Sequence, residues 1–277
     1  MVDKISTIYH HLPGLGQSGE PVPALGGQIA PFGFTELEQL DEDWARENQF
    51  DRRSTVWVAS SPRTLGSADV DAAQECARLV RLAAVAVCGE PLPDPALSIV
   101  YAKSQGRVVR QIGPFERTWL LGDRTMATPT PSQWSNIARS CEMWRAARLS
   151  SMHPVFLPMQ AYGAVYASLA HEPALMVMPV VVALEGVFAP GKGAGIVARM
   201  TSNLARVLPR VADIEQRLRK IYKIRSDIIH GRRYDPEAAQ AALRVAGRLA
   251  CLATGALASQ IAAKGSDDPQ SLYGSWD

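Results

Sequence analysis

From residue 133 to residue 263, hydrophobic positions recur every three to four residues, the period that gathers them on one face of an α-helix. Breakers divide this stretch into helices expected at 133–149, 156–170, 173–188, 195–208, 211–229 and 236–263. The separators are His153-Pro154, Glu172-Pro173, Pro190-Gly191, Pro209 and Gly231. Proline ends a helix because it lacks a donor, and glycine because it accepts the left-handed turn that closes one. The second half is therefore expected to be an all-helical bundle.

The first half patterns differently. Ser54 to Ala59 is dense in β-branched and aromatic residues and predicts a strand. Leu97 to Ala102 and Arg107 to Ile112 flank Ser104-Gln105-Gly106, the pattern of a hairpin, and Thr118 to Leu121 suggests another strand. Between them, Asp69 to Cys88 shows helical spacing, with Asp69 as N-cap and Gly89 just past the end. A weaker acidic amphipathic stretch over 32–44 suggests a short helix. The first 30 residues hold Pro13, Gly14, Gly16, Gly19, Pro21, Pro23, Gly26 and Gly27, and no regular element is expected there. Polar, proline-bearing residues 122–132 mark a boundary. The expected organisation is a flexible Gly/Pro-rich lead-in (1–30), a small α+β domain of unassigned role (31–130), a helical bundle (131–265) and a loose tail (266–277).

Composition adds limits. At 277 residues, 47% hydrophobic and 20% charged, the chain suits one large or two modest globular domains. The net charge of +2, from 29 Lys and Arg against 27 Asp and Glu, carries no sign of a polyanion partner. Cys76, Cys88, Cys141 and Cys251 lie far apart without a CxxC pair or secretory leader, which predicts neither disulfides nor a zinc site and favours a cytoplasmic setting. The longest apolar run, Pro173 to Leu184, is interrupted by Pro179 and falls short of the roughly 18–20 residues that cross a bilayer, so no membrane partner is expected.

Two glycine motifs fail on context. Gly14-x-Gly16-x-x-Gly19 runs into Glu20-Pro21-Val22-Pro23, where the helix needed to meet a pyrophosphate has no room to start. Gly191 to Gly195 follows a helix where a phosphate loop follows a strand, and reads as a helix-to-helix turn.

Local charge changes the picture that the total gave. Residues 190–233 hold eleven bases and three acids, an excess of +8 that leaves −6 for the remainder. Such a concentration is an electrostatic footprint for a polyanion, and equally the solvated face of a basic helix. Within it, apolar residues 211, 214, 218, 221 and 228 form a stripe, and one step of four from Ile221 reaches Arg225. A guanidinium in a core-facing register is costly unless paired or at an interface, because its five donors stay charged. His230 follows, ahead of Gly231, in the last turn where the helix dipole favours a cation. Taken singly, a snorkelling arginine and a C-terminal capping histidine are the plainer readings.

Taken together, Arg225-Ser226-Asp227-Ile228-Ile229-His230-Gly231, preceded by Ile221-Tyr222-Lys223-Ile224, resembles the R-x4-6-H signature of the HEPN superfamily, closest to its Apea-like branch. The block Ala183-Leu184-Glu185-Gly186-Val187-Phe188 is similar to the Leu-Glu helix of those domains. The resemblance covers about Gln133 to Ala263 and leaves residues 1–130 aside. It implies that the helices following the α+β N-terminal unit form an all-α HEPN-like bundle, and a metal-independent endoribonuclease that works as a homodimer without a cofactor.

Arg225 and His230 are then the catalytic residues, and Ser226, Asp227 and Glu185 support them. Glu185, inside an apolar helix, needs a partner, and Arg225 is the one expected; the pair either orients the arginine or takes part directly. Ser226 would orient a phosphate or cap, and Asp227 would hold the histidine or the arginine. RNA would meet Lys220, Lys223, Arg232, Arg233 and Tyr234, with Tyr222 or Tyr234 stacking on a base. Residues five apart on an ideal helix point about 140° from one another. The helix therefore distorts, or the arginine stem bridges the gap, or one chain's arginine works with its partner's histidine. The alternatives are an inactive helical module that binds nucleotides or RNA or dimerises, and, last, a small-molecule enzyme in the α+β half, where His10 and His11 are the only histidines. A stress-response or anti-phage role with a regulatory partner protein fits the resemblance.

Overall fold

The computed structural model describes residues 6–16, 20–31, 54–61, 67–92, 100–104, 107–112, 127–167, 173–191 and 195–265. The chain divides into two compact units, residues 1–84 with 92–145, and residues 85–91 with 146–277.

In the first unit β1 (Ser6–Gly16), β2 (Val22–Ala24), β3 (Gly27–Pro31), β4 (Ser54–Ser61), β5 (Val100–Ser104) and β6 (Arg107–Ile112) build one sheet in the order β2-β3-β4-β1-β5-β6. Every pairing in it is antiparallel. The helices are α1 (Ser67–Cys88), whose last turn belongs to the second unit, and α2 (Pro131–Ala146).

The first 30 residues overturn their sequence expectation, because β1 is a central strand and β2 and β3 follow it. Ile8, His10 and Leu12 alternate into the core opposite Ala59, Trp57 and Thr55, so the period of two was present in the sequence. The breakers sit where a sheet uses them. Pro13 and Gly14 fall in the register shift between Leu12 and Gly16, and Leu25 and Gly26 form the two-residue turn between β2 and β3. Both turn residues have positive φ, 56° and 77°, as a type I′ hairpin requires. A leucine holds that conformation because its N–H donates to the Glu142 carboxylate and its carbonyl accepts from Arg145 Nη1 at 2.7 Å. These two contacts tie α2 to the sheet. They explain why the division falls at 145/146 and not at the 122–132 boundary expected from composition.

The other expectations for this half fare variously. β4 and β6 lie where the pattern placed them, and β5 runs on to Ser104, two residues past the expected end at Ala102, with residues 97–99 outside the described ones. α1 begins at Ser67, so Asp69 lies inside its first turn and is not the N-cap, whereas Gly89 closes the helix at φ 75° with its N–H on Val85 O at 2.9 Å. Expectations at 32–44, at 118–121 and for the tail after 265 lie outside the described residues. Gly14 and Gly16 belong to β1, and β2 is the element after them.

The second unit is helical. A 3-10 turn (Pro154–Phe156) leads to α3 (Leu157–Ala167), α4 (Pro173–Phe188), α5 (Ile196–Val207), α6 (Ile214–Ile229) and α7 (Pro236–Lys264). α6 starts three residues later than its apolar pattern suggests, because Asp213 is held in the left-handed region at φ 59°, which no helix interior admits. Pro179 lies inside α4 at an exposed position.

α7 is the central helix, packed against α3, α4, α5 and α6. Its alanines allow close approach, and Gly247 and Gly255 allow more. A Cβ at Gly247 would meet the Tyr162 ring at 2.2 Å, and one at Gly255 would meet Ala86 Cβ at 2.6 Å. α7, not the 173–184 run, is the one helix among the described residues long and apolar enough to cross a bilayer, at a mean hydropathy of 1.3 over its best window. In this fold 67% of that window is buried by the rest of the bundle.

Candidate functional site

The site is built on α6 and α4. Ile214, Leu218 and Ile221 of α6 are buried, and at 3.6 residues per turn Arg225 continues their face. That placement puts its guanidinium toward α4, where Nη2 lies 3.4 Å from Glu185 Oε1. The pair is largely closed from solvent, its side chains 26% and 18% exposed for arginine and glutamate. The two residues that the sequence left without partners in apolar surroundings therefore meet.

Tyr222, one turn before Arg225, belongs to the same cluster. Its hydroxyl donates to Glu185 Oε1 at 2.6 Å and lies 3.1 Å from Met200 Sδ of α5. The Arg225 guanidinium carbon sits 5.5 Å from the ring centroid, a cation–π distance. Burial first, and the hydrogen bond to Glu185 second, push the Tyr222 phenol far above its usual range, so it stays a donor. One carboxylate oxygen thus serves both the phenol and the guanidinium, and Arg225 Nε is buried without a hydrogen-bond partner. Of the two tyrosines named as candidates to stack on a base, Tyr222 has its hydroxyl engaged inside the bundle.

His230 lies on the opposite side. Its N–H bonds Ser226 O at 3.0 Å, a regular helical bond, so α6 stays undistorted up to the residue. Gly231 (φ 61°) then donates to Ile228 O at 3.1 Å and Arg232 to Asp227 O at 2.8 Å, the two bonds of a Schellman closure. Spacings of eleven and seven, near whole turns at 3.6 residues each, align His230 with Arg219 and Lys223 on the exposed face. Among the described residues the His230 side chain forms no hydrogen bond or ion pair. The regular helix removes the first of the three ways in which Arg225 and His230 of one chain were expected to meet, and the Glu185 contact holds the arginine stem on the inner side.

The supporting residues divide. Asp227 was expected to hold His230 or Arg225, but its Oδ1 lies 3.7 Å from Arg232 Nη1, the residue that the helix closure folds back over it. Arg232 is therefore partly engaged, and Arg219 is paired with Glu215 at 2.6 Å. Lys220, Lys223 and Arg233 are exposed, and Ser226 and Tyr234 are half-buried. Arg199, one of the eleven bases of the basic segment, was given no place at the site in the sequence: its charge acts on the Tyr222 phenol, and its Nε and Nη2 are buried. The signal available was its place beside Met200 in the basic segment.

Three comparisons with known proteins add no identity: no protein-family model, no curated protein and no solved structure matches this chain.

Proposed function

We propose that the helical unit is a metal-independent endoribonuclease of the HEPN kind, cutting RNA by attack of its own 2′-hydroxyl. The observation that carries this reading is the Glu185–Arg225 pair, with Tyr222 on the same carboxylate, set on the helix whose other face presents both His230 and Lys223. In such a reaction Arg225 holds the charge developing on the phosphorane, and the His230 imidazole moves the proton. Lys220, Lys223 and Arg233 guide the backbone of the RNA. No cofactor enters this scheme.

Because Arg225 and His230 point apart on an undistorted helix, the scheme takes the arginine of one chain with the histidine of its homodimer partner. Ile229, one turn beyond Arg225, and Val182, three residues before Glu185, are each 51% exposed. Large apolar side chains flanking a half-buried ion pair suit a surface that a second copy covers. A cytoplasmic place, a role in stress response or anti-phage defence, and a regulatory partner protein belong to the same proposal.

The test is purified protein with total RNA in EDTA, beside Arg225→Ala and His230→Ala. Both variants are expected to lose at least about a hundredfold in rate, the scale of a missing acid–base or charge-stabilising group. Cleavage that needs a metal, or that survives either change, overturns the mechanism. A second reading, an inactive module that binds RNA or dimerises, is favoured by the regular end of α6, which keeps His230 of one chain away from its Arg225. It expects RNA binding with no cleavage under any condition.

A further inference from the structure

We infer that Tyr222 is a positioning residue for Arg225, and that it does so by competing with the guanidinium for Glu185, so that part of the arginine's charge remains for a phosphate group. The inference rests on the reading of Arg225 as the residue that meets RNA phosphate.

Glu185 Oε1 takes the phenol at 2.6 Å and Arg225 Nη2 at 3.4 Å, so the short, well-formed contact is with tyrosine and the arginine contact is the longer one. A carboxylate facing an arginine alone forms a bidentate pair, with two parallel N–H···O bonds that use up one edge of the fork. Here the side-on form of that pair, through Nε and Nη2, is not reached, since Arg225 Nε is buried without a hydrogen-bond partner and Nη2 stands 3.4 Å from the carboxylate oxygen. Tyr222 accounts for the difference. Its hydroxyl occupies the oxygen, withdraws charge from it, and its ring lies beneath the guanidinium at 5.5 Å, which fixes where the cation rests. Met200 Sδ, 3.1 Å from the same hydroxyl, holds the phenol in place from α5.

Removal of the hydroxyl lets the carboxylate close on the arginine, and the charge on offer to a phosphate falls. Removal of the carboxylate's charge in the same protein reverses the loss. A tyrosine that serves only to fill space gives a loss that the second change does not recover.

The experiment is steady-state cleavage of a short RNA by wild type, Tyr222→Phe, Glu185→Gln and the double variant, with thermal melting of each. Tyr222→Phe is expected to lower kcat about tenfold with KM within about twofold, because the exposed lysines that bind the strand are untouched. The double variant is expected to regain most of that rate. A Tyr222→Phe protein with wild-type kcat, or a loss that Glu185→Gln fails to recover, overturns the inference.

If the wild type cleaves no RNA in EDTA, the ribonuclease reading falls by itself. The positioning inference is then read on the Arg225 Nε–H resonance titrated with inorganic phosphate: a response in the wild type that weakens in Tyr222→Phe supports it. No response in the wild type, or equal responses, overturns it. Should Tyr222→Phe not fold, Glu185→Gln carries the same titration, with tighter phosphate binding expected and unchanged binding counting against the proposal.

Discussion

At the residue scale, the cluster of Tyr222, Glu185 and Arg225 shows how a buried polar side chain changes the chemistry of its neighbours. The Tyr222 phenol is raised above its usual value by burial and by the adjacent carboxylate, so in the folded protein it resists ionisation while in the unfolded chain it ionises near pH 10. Above that pH the unfolded state binds fewer protons than the native one, and stability falls with a limiting slope of about 1.4 kcal/mol per pH unit for one such group. The stabilisation is fully present below pH 10 and is lost as pH rises. Wild type is therefore expected to lose stability more steeply than Tyr222→Phe between pH 10 and pH 11 in urea unfolding. Parallel curves would show that the phenol ionises alike in both states. Burial also raises the Cys141 thiol to about 12 and the Cys88 thiol to about 11, which leaves both as unreactive neutral groups at ordinary pH. Cancelling these thiol contributions is the reason for comparing two proteins that share them.

At the element scale, α7 is governed by how closely other segments approach it. Gly247 carries no positive φ, so its glycine is not there for backbone freedom; the Tyr162 ring occupies the space of its Cβ. Alanine there gains about 1 kcal/mol in helix propensity, yet it has to displace a whole ring face of α3, a cost of about 1–3 kcal/mol and more where the ring has no room. Gly247→Ala is expected to lower the melting temperature by several degrees, with Tyr162→Leu restoring part of the loss. A Gly247→Ala protein as stable as wild type would mean that α3 moves aside freely. The end of α6 gives the contrasting case. Nothing lies within 4 Å of a Cβ at Gly231, and its positive φ is what closes the helix after His230. The sequence announced that role of Gly231, whereas the role of Gly247 rests on a partner far away in the chain.

At the scale of the whole molecule, the net charge of +2 averages a basic segment with an acidic remainder. The RNA binding proposed for the exposed face of α6 is expected to follow salt, since each lysine that neutralises a phosphate releases a counterion. For the Lys220→Ala, Lys223→Ala protein, the plot of log affinity against log salt is expected to be shallower by about 1.4, from a slope of about 0.7 per phosphate on a single strand. An unchanged slope would place the RNA elsewhere. The experiment belongs with the full chain, because Val85–Pro91 joins the second unit and Ala86 packs at Gly255. A fragment starting at residue 131 would lack that piece of its own unit.

The helical half was legible in the sequence because its signals are local: apolar positions at a period of 3.6, Asp235 capping Pro236 with its carboxylate on Glu237 N–H at 3.0 Å, and Gly231 and Gly265 closing helices. The pairing of Glu185 with Arg225 was legible too, since two charged residues in apolar registers need one another. β1 was obscured because the density of Pro and Gly around it reads as a loop until partner strands show that they occupy a bulge and a hairpin. The sequence by itself determined where the helices run and which charges sit in apolar stripes, because both follow from periodicity along one chain. Only the tertiary structure decided that a run of breakers frames a central strand and that Asp227 turns to Arg232. It alone decided that Tyr222 shares a carboxylate with Arg225 while His230 faces outward, since contacts between distant segments depend on packing that no local pattern encodes.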